Sequence, residues 1–376
     1  MRVLAFAPYP EAGASTRYRI LQYVPALAAS GIELVCDSLH SDEGFRRLYS
    51  SSGFVTKAKD WLAAGLRRLE RVGHASEFDV VLLHRELWPL RGLIHERALL
   101  RKNPHWVFDL DDAVYLPNVS EENRRLAALK APGKSRWVLA HARAVAAGNR
   151  SLLDWANSGL TPGAKAFLVP TSIDIERWHP GSAPHEGPLT LGWIGTHTTV
   201  SYLHQLEPVF AALKARHPEL RLRTIGARFD LPGWDVESVP WSLAGEVEAL
   251  HGIDIGLSPL PDTDWARGKC GLKLLQYMEA FGFADLAGID RPHGRVTGPV
   301  SQIKESVRAL PGYRALHRLR QGLFPGSIPN ERDGTFILFA LLEKPEVASA
   351  CRSWRCPAAR AAACGRRARS REARGR

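Results

Sequence analysis

Short apolar runs alternate with stretches of helical periodicity from the start of the chain. Residues 3–7 form an apolar run typical of a buried strand, and residues 8–14 are predicted to form a loop. Ser15 or Thr16 is then predicted to cap a helix, after which residues 32–36 form the next apolar run. The order strand, loop, helix, strand is the opening of a doubly wound parallel sheet.

The same alternation of apolar runs and helical stretches continues through the first half of the chain and begins again in the second. Further strands are predicted over residues 80–83, 106–108, 144–147 and 167–169, and in the second half over residues 189–194, 220–225 and 253–257. Residues 178–188, rich in Pro and Gly, are predicted to form a linker. We therefore predict an α/β protein with two Rossmann-like domains, residues 1–177 and 189–282, facing a cleft at the carboxyl ends of their strands.

The rhythm is lost after a helix predicted over residues 272–281. Residues 283–299 offer no clean apolar strand where the second sheet should continue, and isolated apolar runs such as residues 336–342 follow without the earlier alternation. We therefore predict that residues 283–350 form an atypical or incomplete end to that domain. Residues 351–376 are biased towards Arg and Ala without any periodicity, and we predict that they form a disordered tail.

Charge is distributed unevenly along the chain. The net charge is +11, but residues 351–376 contain nine Arg and one acidic residue and so carry +8 of it. The body therefore carries +3, which does not indicate a nucleic-acid-binding surface. No apolar run is long enough for a membrane span or a signal peptide. The sequence predicts a cytoplasmic protein and is compatible with peripheral association at the inner face of the membrane.

The five cysteines do not form a recognisable framework. Three of them, Cys351, Cys356 and Cys364, lie towards the end of the chain without zinc-site spacing, and the body contains only two. We predict a reducing compartment and no metal site.

A glycine- and lysine-containing loop before the last predicted helix is the first candidate site. Gly268 and Gly271 would let the backbone approach a ligand closely, and the free N–H groups from Leu272 onward favour a phosphate. The charged and polar groups that could join them are Lys269, Lys273 and, two turns into the helix, Gln276. The alternative is an ordinary strand–loop–helix connection with solvated lysines.

The loop after the first strand of the second half has the same character. Gly195 lies at a strand end, and Thr196, Thr198 and Thr199 follow before a helix, which makes another anion-friendly terminus. The alternative is plain capping of the helix by Thr198 or Thr199.

The first loop of the chain, which contains Gly13, also faces the predicted cleft. Arg17 or Arg19 in the helix that follows could bind a diphosphate or an anionic acceptor. For Arg19 a solvated position on the helix face is the favoured interpretation.

Three carboxylates, Asp109, Asp111 and Asp112, follow a predicted strand. At this spacing they should perturb one another's pKa values, which makes Asp111 and Asp112 candidates for acid–base chemistry. They could instead bind a divalent cation or simply order the loop. His84, at the end of the preceding strand, is a weaker candidate on the acceptor side.

Together these motifs resemble the glycosyltransferases of the GT-B fold, close to family 4. The resemblance extends from residue 1 to about residue 282. It is carried by ASTRYR (14–19), FDLDD (108–112), GN (148–149), VPTSID (169–174), LGWIG (191–195) and KCGLKLLQYM (269–278). It implies a nucleotide-sugar donor in the second domain and an acceptor in the first, with transfer in the cleft and no cofactor or metal.

The chain departs from the family pattern at several positions. The family's pair of glutamates, eight residues apart, is replaced by Gly268 and Gln276, although Gln276 could still bond a ribose hydroxyl. The family's Arg and Lys for the diphosphate are replaced by the loop around Thr196, so Lys269 and Lys273 are predicted to supply that charge. Many members carry His where Asp111 stands.

The end of the chain departs further. The family's buried strand and donor-side loop after Met278 are not recognisable, and the Arg- and Ala-rich ending resembles a GC-rich gene read out of frame. We hypothesise a frameshift near residue 280, and an intact frame on resequencing would refute it.

The resulting expectation is transfer of a sugar from a nucleotide diphosphate to a hydroxyl acceptor, with Lys269, Gly271, Leu272 and Thr196 holding the diphosphate. Two alternatives remain: a non-catalytic remnant of such an enzyme, and a nucleotide-sugar epimerase or hydrolase on the same fold. The partners predicted are the nucleotide sugar and the acceptor, with no nucleic acid.

Overall fold

The computed structural model describes residues 1–48, 54–117, 131, 133–181, 188–281 and 342–343. Two sheets organise them. The first is six-stranded and parallel throughout. The second is five-stranded, and four neighbouring strands of it are parallel.

The first domain is built around the first sheet. Its strands are β1 (Arg2–Ala7), β2 (Glu33–Ser38), β3 (Val80–His84), β4 (Trp106–Leu110), β5 (Ala144–Ala147) and β6 (Lys165–Leu168). They lie in the order β2-β1-β3-β4-β5-β6 across the sheet. Its helices are α1 (Ala14–Arg19), α2 (Val24–Ala29), α3 (Asp42–Leu48), α4 (Phe54–Gly73), α5 (Ile94–Lys102), α6 (Lys134–His141) and α7 (Arg150–Asn157). The apolar runs of the strands are buried between the helix layers, as the sequence predicts.

The helix predicted after the first loop is broken into three pieces. A 3₁₀ turn, Leu21–Tyr23, separates α1 from α2, and α2 begins around Pro25, a residue tolerated only at a helix start. The predicted cap is also wrong, because Gly13 occupies the N-cap position of α1. The hydroxyl of Thr16 instead donates to the carbonyl of Tyr9 and closes the first loop.

The second domain is built around the second sheet. Its strands are β7 (Thr190–Gly195), β8 (Arg221–Gly226), β9 (Val236–Val239), β10 (Ile255–Gly256) and β11 (Leu342–Glu343). They lie in the order β11-β10-β7-β8-β9 across the sheet. Its helices are α8 (Ser201–His204), α9 (Glu207–Arg216), α10 (Glu246–His251), α11 (Asp264–Arg267) and α12 (Leu272–Ala280). Strand β9 was not predicted, because its exposed edge position leaves it without an apolar run.

Helix α12 is fixed against the second sheet by Tyr277. The ring is buried, and a Cβ at Gly256 would lie 2.6 Å from it, so glycine is required on β10. The Tyr277 hydroxyl donates to the carbonyl of Leu257 at 3.0 Å and accepts from the amide of Ile194 at 3.2 Å. These bonds place the start of α12 beside the carboxyl ends of β7 and β10.

The two domains share one apolar cluster. Tyr18 of the first domain packs with Ile194, Val247 and Tyr277 of the second, and Trp178, from the predicted linker, is buried in the same cluster. Tyr18, a residue of α1, is therefore part of the second domain's core.

Two Rossmann-like domains facing each other confirm the predicted fold class. The second sheet ends differently from a doubly wound sheet, because β11 pairs antiparallel with β10. Apart from β11, the predicted atypical region, the tail and the hypothesised frameshift lie outside the described residues. Among the described helices, none combines the length and apolar character that a bilayer span requires.

Candidate functional site

The strand-end loops of the two domains touch directly. The ammonium of Lys269 lies 2.9 Å from Oδ2 of Asp112, and the thiol of Cys270 donates to the carbonyl of Asp111 at 3.1 Å. Gly268 makes this approach possible, since a Cβ there would lie 2.6 Å from that of Ala113. The predicted close approach at Gly268 is therefore to the first domain rather than to a ligand.

Asp109 lies at the centre of a buried ionic network beneath these loops. Arg19 binds both of its carboxylate oxygens through Nε and Nη2, and Nδ1 of His84 lies 2.7 Å from Oδ2. The interpretation of Arg19 as a solvated residue is wrong, because it is only 6% exposed and also donates to the carbonyl of Val169. The end of α1, β3, β4 and the residue that follows β6 are thereby joined at one point.

His84 lies below the surface that a substrate could reach. It is fully buried, and its Nε2 atom has no hydrogen-bond partner, lying 3.8 Å from Oδ1 of Asp111. An acceptor cannot contact His84 in this conformation. The imidazole instead links two carboxylates, Asp109 and Asp111.

Asp111 is held by the neighbouring strand end. Arg85 donates to its two oxygens at 2.5 and 2.9 Å. Arg85 has a φ of 62°, an uncommon left-handed conformation for a residue other than glycine, and it directly follows β3. Backbone strain of this kind occurs at functional sites.

Two of the three carboxylates, Asp109 and Asp111, have lowered pKa values, and the causes are neighbouring cationic groups rather than the other carboxylates. Burial alone would raise the pKa of Asp111, but the charges of Arg85, His84 and Arg19 and the hydrogen bonds from Arg85 together outweigh it and hold that pKa well below its usual range. The pKa of Asp109 is lowered in the same way by Arg19. Both groups are therefore ionised at neutral pH, which suits them to accept hydrogen bonds rather than to donate protons.

Cys270 is not a nucleophile in this setting. Burial, and then the charge of Asp111, raise the pKa of its thiol to about 12. The thiol therefore stays protonated.

On the second-domain side, the start of α12 is open to an anion. Gly271 is the N-cap in a left-handed conformation, with φ at 72°, and no side chain caps the first turn. The N–H of Leu274 bonds the carbonyl of Gly271 at 2.9 Å, so the N–H groups of Leu272 and Lys273 are the ones that keep their capacity to bind an oxygen.

Lys273 lies in that first turn, over an aromatic ring. Its ammonium is 4.4 Å from the centroid of the Trp193 indole, and no described carboxylate forms an ion pair with it. Burial, and then the charge of Lys269, lower the pKa of Lys273 to about 7. The side chains of Lys269 and Lys273 thus lie at one helix N-terminus.

The loop after β7 adjoins the same ring. A Cβ at Gly195 would lie 2.5 Å from the Trp193 indole, so the loop and Lys273 flank one side chain. Thr196 and Thr198 are joined through their hydroxyls at 2.8 Å. Thr199 closes the turn on Thr196 and does not cap α8, whose N-cap is Val200.

Two predicted site residues lie at the junction of the domains. The Gln276 side chain is buried and donates to the hydroxyl of Tyr18 at 3.4 Å. Arg17 is also buried, and its guanidinium bonds the carboxylate of Glu246 at 3.1 Å and lies over the Trp241 ring. Both side chains thus have partners at the junction of the domains.

Glu246 is a junction residue that the sequence did not reveal. It is 1% exposed and accepts from Arg17, from Arg177 at 2.7 Å and from the indole N–H of Trp241 at 2.9 Å, while the Tyr18 hydroxyl lies 3.5 Å away. All four groups are donors. A glutamate in the first turn of a helix is ordinary, so no local signal marks it.

Asn149 is a second residue whose role was missed. Its Oδ1 caps α7, and its Nδ2 donates across the cleft to the carbonyls of Arg267 and Lys269, each at 3.1 Å. The position before a predicted helix was the available signal.

The remaining observations concern metal ligands and a surface hollow. In the described part of the chain, no three His, Cys, Asp or Glu side chains are arranged to hold a metal ion. A hollow of about 230 Å³, lined by His141, Arg143 and Thr161 among others, lies at the amino ends of the strands in the first sheet, opposite the cleft.

No protein-family model and no curated protein matches this chain. Among solved structures, it is similar to sucrose-phosphate synthase from Thermosynechococcus elongatus, with 12% identity, 68% of this chain and 75% of that one covered, and a TM-score of 0.46. It is similar to HepE from Anabaena, solved with UDP and glucose, with 13% identity, coverages of 68% and 73%, and a TM-score of 0.43. A putative UDP-N-acetylglucosamine 2-epimerase from Listeria monocytogenes gives the same four values.

Proposed function

We propose that this protein is a glycosyltransferase that moves a sugar from a nucleotide diphosphate donor to a hydroxyl acceptor. The observation that carries the proposal is the convergence of Lys269, Lys273 and the uncapped first turn of α12. Two ammonium groups and a helix N-terminus at the carboxyl edge of a parallel sheet are suited to a diphosphate.

The diphosphate is the leaving group of such a transfer, so the charge that develops on it must be stabilised. The N–H groups of Leu272 and Lys273, the ammonium of Lys269 and the protonated form of Lys273 supply positive potential at that point. The loop at Gly195 and Thr196 borders the same space across Trp193. The adjoining Asp111 and Asp112, which Arg85 and Lys269 bind in the structure, would accept hydrogen bonds from the hydroxyls of an acceptor.

In the structure, Lys269 also connects the two sides of the cleft. Lys269 is paired with Asp112, and Asn149 holds the backbone of the lysine loop. Donor entry therefore requires these contacts to separate. Lys269 exchanges the carboxylate for the diphosphate, which leaves Asp112 available to the acceptor.

The experiment that tests the proposal is calorimetric titration of the full chain with UDP, GDP and ADP, followed by a transfer assay with the matching nucleotide sugars. Selective binding of one nucleotide supports the donor site. Product analysis without added acceptor separates transfer from epimerisation or hydrolysis. A folded chain that binds none of the three contradicts the proposal and favours the non-catalytic remnant.

Alanine in place of Lys269 should weaken binding of the preferred nucleotide diphosphate about tenfold, since a hydrogen bond from a charged donor contributes about 1.5–3 kcal/mol. Calorimetric titration gives the ratio of dissociation constants. Lys165→Ala, which removes an exposed lysine at the start of β6, is the matched control and should bind normally. Equal affinities for the two variants would remove Lys269 from the site.

Nucleotide binding at about pH 8 should take up close to one proton, because Lys273, with a pKa of about 7 instead of 10.5, is mainly neutral there. A bound diphosphate favours the charged lysine and raises its pKa, so the proton comes from solution. Titrations in two buffers that differ in ionisation enthalpy measure this number.

At about pH 6 Lys273 is already charged in the free protein, so nucleotide binding should no longer add a proton to it. Lys273→Met should show no uptake at about pH 8. Uptake that persists in this variant would assign the proton to another group.

A further inference from the structure

The outer face of α4 does not have the polar character of an ordinary surface helix. Val55, Leu62 and Leu66 are 66%, 66% and 60% exposed. Their spacings of seven and four residues place them on one face of the helix. The opposite face, with Ala64 and Arg68, is buried against the domain.

The start of α5 extends this apolar surface. Nε2 of His95 lies 3.1 Å from the carbonyl of Gly65, which brings the beginning of α5 against the middle of α4. Ile94, immediately before His95, is 71% exposed. We call Val55, Leu62, Leu66 and Ile94 the α4–α5 surface. Four large apolar side chains exposed on two adjoining helices indicate an interaction site.

Basic residues surround the α4–α5 surface. Lys59 and Arg67 on α4, and Arg91 and Arg97 around the start of α5, are exposed, and none forms an ion pair with another described residue. Acidic groups are fewer: Glu70 is exposed, whereas the carboxylate of Asp60 is bound by Arg47. The electrostatic character of the surface is therefore positive.

We propose that the α4–α5 surface docks on an anionic phospholipid bilayer, with the apolar side chains entering the headgroup boundary and the four basic residues contacting lipid phosphates. A long helix that exposes apolar side chains beside basic ones is suited to lie in the membrane interface. The four basic residues favour a lipid surface over an apolar protein groove. Each of them can bind the phosphate of an anionic headgroup, whereas an apolar groove has no group that balances their charge.

The surface lies on the cleft side of the first domain. Trp61, next to Leu62, contacts the ring of His40 at 4.8 Å, and His40 follows the carboxyl end of β2. The carboxyl edge of the same sheet carries Asp111 and Asp112. Docking would thus hold the candidate site close to the bilayer, although the proposal does not depend on glycosyl transfer.

The test is cosedimentation of the full chain with vesicles of phosphatidylcholine alone and with vesicles of phosphatidylcholine and phosphatidylglycerol. The wild-type chain should bind the anionic vesicles and not the neutral ones. The double variant Leu62→Gln/Leu66→Gln should lower the partition coefficient at least about tenfold, because each buried leucine contributes about 1.5–3 kcal/mol. Phe167→Gln, at a side chain 53% exposed on β6, is the matched control.

The variants also separate this surface from the Arg-rich tail, which could itself bind anionic lipid. Lys59→Glu/Arg67→Glu should weaken binding at least about tenfold, since each basic residue near the bilayer contributes about 1 kcal/mol. Unchanged binding of both double variants would overturn the proposal and assign the affinity to the tail. A wild-type chain that fails to bind anionic vesicles would overturn it as well.

Light scattering of the same samples distinguishes a second copy of the chain from a membrane. If the wild type is a dimer and Leu62→Gln/Leu66→Gln is a monomer, the surface is a subunit interface and the membrane proposal is wrong. Nucleotide affinity should be equal in the wild type and this variant, so loss of vesicle binding can be read independently of the donor site.

Discussion

Glutamine in place of Glu246 will lower the free energy of unfolding by about 3 kcal/mol. The carboxylate is 1% exposed and is surrounded only by donors: two guanidinium groups, an indole N–H and a tyrosine hydroxyl. A carboxylate offers acceptors on both of its oxygens, whereas an amide offers one oxygen and turns N–H groups towards the remaining donors. The variant therefore leaves buried charge without its partner.

The effect should extend beyond the second domain, because Arg17 belongs to the first. The guanidinium of Arg17 also donates to the carbonyls of Glu11 and Ala12, so it ties the first loop of the chain to α10. Loss of the carboxylate releases that connection. The first loop is thus expected to become more accessible to proteolysis in Glu246→Gln.

The measurement is urea unfolding followed by tryptophan fluorescence. Glu248→Gln, which changes an exposed glutamate on the same helix, is the control and should shift stability by less than about 0.5 kcal/mol. Arg17→Met, alone and combined with Glu246→Gln, completes a double-mutant cycle. Equal unfolding midpoints for Glu246→Gln and Glu248→Gln would show that the junction does not stabilise the protein.

The strands of both domains could be predicted because buried parallel strands leave a local signal. Each of the six strands of the first sheet appears as a short apolar run, and its helices supply the spacing between runs. Strand β9 lies at an edge and has mainly exposed residues, so it leaves no such run. The break between α1 and α2 could have been inferred from Pro25, but the helical periodicity hid it.

The candidate site was only partly predictable, for a different reason. The lysine loop and the three aspartates could be found separately, because each follows a strand end. Their pairing could not, since Lys269 and Asp112 are 157 residues apart and Arg17 and Glu246 are 229 apart. Whether a charged residue near a cleft faces solvent or a partner depends on the opposite domain, as Arg19 illustrates.

Gly268 shows how one signal can have two causes. A glycine in a strand-end loop permits close approach, and the sequence suggested a ligand as the approaching group. In the structure the neighbour is Ala113 of the first domain. A glycine indicates that another group lies too close for a side chain, but it does not identify that group.

Asparagine in place of Asp109 will destabilise the first domain by about 3 kcal/mol at neutral pH. The carboxylate is 3% exposed and binds Arg19 through both oxygens as well as Nδ1 of His84. An asparagine keeps one oxygen and places an amide N–H against a donor. The buried guanidinium of Arg19 then retains only the carbonyl of Val169 as a full partner.

The pH dependence identifies the carboxylate charge as the cause. Burial would raise the pKa of Asp109, but the opposing charge of Arg19 and the His84 contact hold it below its usual value. A carboxyl whose pKa is lowered by folding stabilises the protein above its unfolded pKa of about 4, and that stability is lost as pH falls through the lower folded pKa. The difference between wild type and Asp109→Asn should therefore be full at pH 7 and shrink below about pH 4.

Urea midpoints at about pH 7, 5 and 3 measure this difference for both proteins. Asp264→Asn serves as the control, because its carboxylate is 80% exposed in a surface pair with Arg267 and should contribute less than about 1 kcal/mol. A gap between wild type and Asp109→Asn that stays constant down to pH 3 would mean that the variant acts through altered packing. A gap that closes would establish the Asp109 charge as the group that holds Arg19 and His84 beneath the candidate site.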